Sequence, residues 1–195
     1  MSTTSDVEAR LASLEAEVTG LRARVRALED EREIQSLLAR YGITADTDDD
    51  DGFVELYTDD GTITMANPRA GGDGVAGWQG KDGIRAFIAD PNGHRSPALH
   101  GRSMHLHGNN LVVRVEGDDA VAGSYGVTLV KGDDGTRILS AAGNRWDLRR
   151  VDGEWRIRQR SSASIGDGRF AVNLDLDPEP ALDADPTAAH PKEAS

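Results

Sequence analysis

The stretch that decides the fold is "NRWDLRRVDGEWRIRQRS", residues 144–161. Large apolar residues alternate with polar ones on both sides of Asp152 and Gly153, a pair that is typical of a tight turn between two strands. Because successive side chains of a strand point to opposite faces, this pattern predicts an antiparallel hairpin with one buried face.

Similar strand patterns precede this hairpin, from residue 103 onward. The segments "MHLHGNNLVVRVEG", "DAVAGSYGVTLVKG" and "RILSAAGNRWDLRRV" are separated by the Asp- and Gly-rich turns "EGDDA" and "GDDGT". Strands joined in sequence by short turns predict an antiparallel meander.

Helical patterns come before the strands. In "EREIQSLLARYGITAD", residues 31–46, the apolar residues follow helical spacing up to a helix end that we expect to fray near Gly42. The acidic run at 48–51 lacks the ligand pattern of a calcium loop and predicts a turn that starts a short helix. A Gly-rich loop, Ala70 to Gly80, precedes another short helix. Helices first and a curled sheet second predict an α+β fold.

The first thirty residues carry a heptad pattern, with apolar residues at alternating steps of four and three. This pattern fits either an oligomerisation arm or an amphipathic helix lying on its own domain, and β-branched a positions with Leu at d favour two strands. The seam residues are Val7, Leu11, Leu14, Val18, Leu21, Val25 and Leu28.

Composition divides the chain into three parts. We assign residues 1–30 to the heptad helix, 31–168 to one folded domain, and 169–195 to a tail. The tail is rich in Pro, Ala and acidic residues and almost free of large apolar ones, so we expect it to be disordered.

Charge and composition exclude several classes of function. The 195 residues carry a formal net charge of −12, which argues against binding to a nucleic-acid backbone. The chain contains no Cys, so disulfides and thiolate sites are impossible. We find no apolar run long enough for a membrane span and expect a cytoplasmic protein.

Three segments carry a resemblance to a known family: "EIQSLLARYGITADTDDDDGFVELYTDDGTITM" (33–65), "GKDGIRAFI" (80–88) and the closing hairpin. With a histidine at the start of a long strand, their order resembles the SnoaL-like branch of the nuclear-transport-factor-2-like superfamily. The resemblance implies a cone-shaped α+β barrel, a curved, mostly antiparallel sheet around helices with a deep pocket. Within the branch, the chain is most similar to the small dehydratases and dehydrochlorinases, such as bile-acid 7α-dehydratases.

The resemblance implies a catalytic His–Asp pair at His105 and Asp46. A neutral imidazole can abstract a proton, and a carboxylate on its other nitrogen would fix the tautomer and stabilise the imidazolium. A structural role is the alternative for His105.

The resemblance further implies a cation near the end of the last strand, which matches Arg160, and we expect Tyr41 to assist it at an oxyanion. Strict alternation would send Arg156, Arg158 and Arg160 to one face of the strand, so a surface position stays open for Arg160.

His107 lies two residues after His105, on the same face of the expected strand. Two histidines at this spacing can bind a metal ion. The resemblance instead implies a pocket without metal or cofactor, in which His107 contacts substrate. Other residues at positions that line the pocket in this group are Met65, Tyr125, Ala142 and Asn144, and Trp78 in the Gly-rich loop is a candidate lid residue.

These observations together predict a cofactor-independent lyase or isomerase that acts on a small hydrophobic cyclic substrate. A polyketide cyclase of the SnoaL type and a non-catalytic ligand-binding module are the alternatives. We also expect a homo-oligomer, a trimer by family resemblance or a dimer by the heptad pattern.

Overall fold

The structure, a computed structural model, describes residues 4–66 and 75–165. The predicted tail and most of the Gly-rich loop lie outside these residues. The elements are α1 (Thr4–Asp46), α2 (Asp50–Glu55), β1 (Tyr57–Ala66), β2 (Val75–Gln79), α3 (Gly80–Ile88), β3 (Ser103–Glu116), β4 (Asp119–Gly132), β5 (Gly135–Val151) and β6 (Glu154–Ser164).

The six strands form one sheet in the order β2-β1-β6-β5-β4-β3. All neighbouring strands are antiparallel except β1 and β6, which are parallel. Val151 pairs with Glu154 across the predicted two-residue turn. The antiparallel meander and the α+β class are therefore confirmed, and the curved sheet stays open, with β2 and β3 as its edges.

The core lies between the sheet and the second half of α1. Its aromatic centre is Tyr41 of α1 against Trp146 of β5, with ring centroids 5.1 Å apart. Full burial of a large apolar side chain contributes about 1.5–3 kcal/mol to the free energy of folding, so these contacts hold the helix on the sheet. Other buried core residues are Ile34, Leu37, Leu38, Phe53, Ile84, Ile88, Leu148 and Ile157.

The first half of α1 does not join this core. Its seven seam residues are 44–67% exposed, and α1 runs without a break through residue 30. Asp30 marks the point where the helix meets the domain, because it is buried and accepts hydrogen bonds from Arg150 and from Trp155 Nε1. The seam is therefore not packed on the described part of its own domain.

Two local expectations were wrong. The helix does not fray at Gly42 but continues to Asp46. Residues 75–79 of the expected loop form strand β2, which pairs with β1. No helix among the described residues has the length and apolar character needed to cross a membrane.

Candidate active site

Asp46, the last residue of α1, holds His105 of β3 with both carboxylate oxygens. Oδ1 lies 2.6 Å from His105 Nδ1, and Oδ2 accepts the backbone N–H of His105 at 2.7 Å. The His105 side chain is 7% exposed and that of Asp46 is 18% exposed. Since an ionised carboxylate only accepts, Nδ1 carries the hydrogen, and the lone pair of Nε2 is left to take a proton.

Gly42 permits the close approach of α1 and β3 that this pair requires. A Cβ at Gly42 would lie 2.3 Å from the carbonyl oxygen of His105. Asp46 follows four residues later, on the same face of the helix. The glycine therefore sets the helix–strand distance at which Asp46 reaches both the backbone and the ring of His105.

A break in strand pairing turns Arg160 into the core. Leu148 of β5 pairs with Ile157 and Asp147 pairs with Gln159, so the pairing skips Arg158. An extra residue of this kind reverses the alternation of faces beyond it. Arg160, at 4% exposure, therefore faces the core like Ile157, and the expectation that it shares a face with Arg156 and Arg158 was wrong.

The Arg160 guanidinium is held by polar groups. Nε and Nη2 donate to Asn144 Oδ1 at 3.1 and 3.0 Å, and Nη1 donates to the Tyr41 hydroxyl at 2.5 Å. The guanidinium carbon also lies 5.0 Å from the centroid of the Tyr41 ring. No carboxylate of the described residues forms a salt bridge with it. A buried cation without an acidic partner favours an anionic oxygen beside it.

His107 is buried between His105 on one side and the polar group of Arg160, Asn144 and Tyr41 on the other. Its Nδ1 lies 3.5 Å from Asn144 Nδ2, and since Arg160 occupies the amide oxygen, the amide NH₂ faces Nδ1. Burial, and next the charge of Arg160, lower the pKa of His107 to about 2. A Cβ at Gly126 would lie 2.6 Å from both His107 Nδ1 and Asn144 Nδ2, so glycine makes room for the pair.

A third imidazole, His94, completes a row that the sequence did not predict. The rings of His94 and His105 stack at 5.2 Å, and those of His105 and His107 at 5.8 Å. Burial lowers the pKa of the half-buried His94 to about 3, and the next cause is repulsion by His105 when His105 is protonated. Ring lone pairs lie in the ring plane, so stacked rings do not converge on one ion. Within the described ranges no cluster of three or more His, Asp or Glu could hold a metal.

The loop that carries His94 is fastened to the end of α1. Arg95 Nη1 donates to the carbonyl of Ala45 at 3.0 Å, and the same side chain forms ion pairs with Asp48 and Asp50. His100 Nε2 lies 2.7 Å from Asp48 Oδ2. These contacts hold the loop against the end of α1, and within it the His94 ring stacks on the His105 ring.

The structure places three of the predicted lining residues on the inner side of the sheet and one on its outer side. Asn144 contacts the site directly, Ala142 lies two residues before it on the same face, and Met65 packs against the core. Tyr125 was wrongly placed: Ser124 pairs with Asn144, so Tyr125 faces outward and is 54% exposed.

Trp78 was also wrongly predicted to lie in a flexible loop. It belongs to β2 and packs edge-on against Phe87, with ring centroids 4.8 Å apart. Phe87 in turn contacts His94 at 4.6 Å. Trp78 therefore contacts the histidine row only through Phe87, which packs between Trp78 and His94.

Two surface grooves lie on either side of α1, away from His105. One, of about 530 Å³, runs along the turn between β5 and β6 and includes Arg40 and Trp155. The other, of about 630 Å³, lies against β3 and includes Leu28 and Val112. Neither is lined by the His–Asp pair or by Arg160.

Comparison with known families gives one match, to a family described as SnoaL-like domain, over residues 26–161. This span contains the His–Asp pair, the histidine row and Arg160. No curated protein matches the chain.

Solved structures with the same fold include an NTF2-like protein with a cystatin-like fold from Novosphingobium aromaticivorans. It is 33% identical, with 77% of this chain and 90% of that chain covered and a TM-score of 0.67. An Asp-to-Asn variant of a protein of unknown function from Mycobacterium tuberculosis is 25% identical. The match covers 76% of this chain and 81% of that chain, with a TM-score of 0.62. Aln2 from a Streptomyces species, at 22% identity, 70% and 91% coverage and a TM-score of 0.58, shows the fold alone.

Proposed function

The chain belongs to the SnoaL-like domain family, and from this premise we propose that it is a cofactor-independent lyase or isomerase. His105 acts as the general base and Asp46 orients it. The observation that carries the proposal is the double contact of Asp46 with the ring and the backbone of His105. A carboxylate placed in this way fixes the tautomer and stabilises the imidazolium that forms.

The proposed reaction starts at a carbon next to a carbonyl group. Nε2 of His105 takes the proton, and the electron pair of the broken C–H bond moves to the carbonyl oxygen to form an enolate. When the enolate collapses, the pair forms a C=C bond and expels the leaving group from the neighbouring carbon, either as halide or as hydroxide that becomes water by taking the proton back from Nε2 of His105. Return of the proton to a different carbon would instead give an isomer.

Arg160 and Tyr41 would stabilise the enolate oxygen. Tyr41 accepts a hydrogen bond from Arg160, so its own hydrogen is available to a ligand oxygen. Burial raises the pKa of Tyr41, the charge of Arg160 opposes this rise, and the phenol stays protonated and can donate. A fixed donor and a buried cation are worth most where water is excluded.

The residues around the site favour a small hydrophobic cyclic substrate. Met65 packs against the core, Ala142 lies on the same strand face as Asn144, and Gly126, beside His107, adds no side chain. A mostly apolar site with a few convergent polar groups is typical of such ligands. A metal ion or cofactor has no role in the proposed steps.

The same base and cation would also suit an aldol ring closure, which is the reaction of a polyketide cyclase of the SnoaL type. A cyclase would be distinguished by a new C–C bond in the product. A non-catalytic binding module would bind such cyclic compounds without converting them.

The test compares wild type with His105→Ala on a panel of cyclic β-hydroxy ketones and halogenated rings, with and without chelator. We expect conjugated products from wild type, unchanged by chelator, and at least about a 100-fold lower kcat in the variant. His190→Ala, a matched substitution far along the chain, should retain full activity. Equal turnover by wild type and His105→Ala would refute the base assignment.

A further inference from the structure

The first half of α1 is an exposed helix with one apolar face. From Thr4 to Leu28 it extends about 37 Å at 1.5 Å per residue. The seven seam residues on this face are 44–67% exposed. Most helical stability in proteins comes from packing of an apolar face, so an exposed seam of this length favours a partner.

We propose that the partner is a second copy of this chain, in a parallel, in-register, two-stranded coiled coil. The seam has Leu11, Val18 and Val25 at a positions and Val7, Leu14, Leu21 and Leu28 at d positions, so the second and third heptads combine Val at a with Leu at d. β-branched a residues with Leu at d favour two strands in the parallel arrangement.

The charges that flank the seam specify the register. In a parallel dimer each g residue lies beside the e residue five positions later in the other helix. Here the three g–e combinations are Arg10 with Glu15, Glu17 with Arg22, and Arg24 with Glu29, and each occurs twice by symmetry. Every pair joins opposite charges.

The other arrangements place like charges beside each other, which the parallel, in-register pairing avoids. A stagger of one heptad would place Arg10 beside Arg22 and Glu17 beside Glu29. An antiparallel pair that aligns Leu11 with Leu28 would keep opposite charges together at Glu15 with Arg22 and at Glu17 with Arg24, but it would add a like-charged pair, Glu8 beside Glu29. None of the six g and e residues forms an ion pair within the described part of its own chain, so all six are available to a partner.

The seam leads directly into the domain on the same face. The next a and d positions, Arg32 and Gln35, line the groove of about 630 Å³ against β3, together with Leu28 and the 55% exposed Val112. In a parallel dimer the two domains stand side by side, and these grooves face each other across the two-fold axis. The antiparallel alternative would separate the domains.

The experiment uses two charge variants of the full chain. One carries Arg10→Glu and Arg24→Glu, and the other carries Glu15→Arg and Glu29→Arg. Sedimentation velocity should show wild type as a dimer, each variant with self-association weakened about ten-fold or more, and the equimolar mixture with wild-type affinity restored. Restoration shows that both variants are folded, and in an antiparallel coil, where g meets g and e meets e, the mixture would not recover.

Cysteine cross-linking tests the orientation separately, because the natural chain has no Cys. Thr4→Cys, at an a position, should form a disulfide-linked dimer on oxidation, whereas Thr19→Cys, at an outward b position, should cross-link poorly. A monomeric or trimeric wild type, charge variants that dimerise as wild type does, or no cross-link at Thr4→Cys would each overturn the proposal.

Discussion

Replacement of Gly42 by Ala tests whether a close helix–strand approach holds the His–Asp pair together. The new Cβ would lie 2.3 Å from the His105 carbonyl oxygen, and contacts under 3.0 Å essentially never occur. Helix α1 and β3 must therefore separate by at least about 0.7 Å, which would stretch the 2.6 and 2.7 Å contacts of Asp46 beyond good hydrogen-bond length. Overpacking costs about 1–3 kcal/mol, and weakened charge-assisted hydrogen bonds add to this loss.

The sign of the effect separates this explanation from simple helix propensity. Ala in place of Gly in a helix interior contributes about 1 kcal/mol of stability when nothing obstructs it. Gly20→Ala is the matched control, since no atom lies within 4 Å of its Cβ in the same helix. We expect urea denaturation to show a gain for Gly20→Ala and a net loss of about 2 kcal/mol for Gly42→Ala. Equal gains in unfolding free energy for both variants, together with an unchanged NMR signal of the His105 imidazole N–H in Gly42→Ala, would refute the close-approach argument.

Further predictions concern individual side chains of the site. Asp46→Asn keeps the shape but not the charge, so kcat should fall about 100- to 10,000-fold in the panel assay, while a fall under about three-fold would contradict the orienting role. Gly126→Ala should cost about 1–3 kcal/mol in urea denaturation, because its Cβ would lie 2.6 Å from His107. The pKa of His107 is lowered to about 2, whereas the unfolded chain binds this proton near its ordinary pKa of about 6.5. The contribution of His107 to stability should therefore rise with pH between these values, by up to about 1.4 kcal/mol per unit, and His107→Phe should remove this contribution while leaving that of His94, whose pKa is also lowered. Arg160→Met removes a charge that lowers this pKa, so NMR titration should find the His107 pKa raised, and an unmoved value would exclude the coupling.

Local patterns were enough to predict most of the fold. The alternation on both sides of Asp152 and Gly153 depends only on the geometry of a strand, and the heptad seam depends only on helical spacing. Strand β2 was missed because its short sequence, "VAGWQ", follows a run of glycines and lacks the usual alternation.

The site was harder to predict, because its decisive features are tertiary. A glycine in a helical pattern usually indicates a less stable helix at that point. Only the packed structure reveals that Gly42 faces the backbone of β3. The pairing that skips Arg158 changes which residues face inward, and no local pattern in "RIRQR" signals it. His94 lies in a turn without periodicity, so spacing could not connect it to His105.

The distribution of charge in the site supports the proposed reaction more than any single residue does. Asp46 is the anion at one end, Arg160 is the buried cation at the other, and the neutral His107 separates them. Proton abstraction would create a cation on His105, next to the fixed anion, and an anion on the substrate, next to the fixed cation. Both new charges would meet an opposite charge that is already in place, so little reorganisation is needed when they form. The lowered pKa of His107 serves the same arrangement, because a protonated His107 would repel the imidazolium of His105 at a ring distance of 5.8 Å.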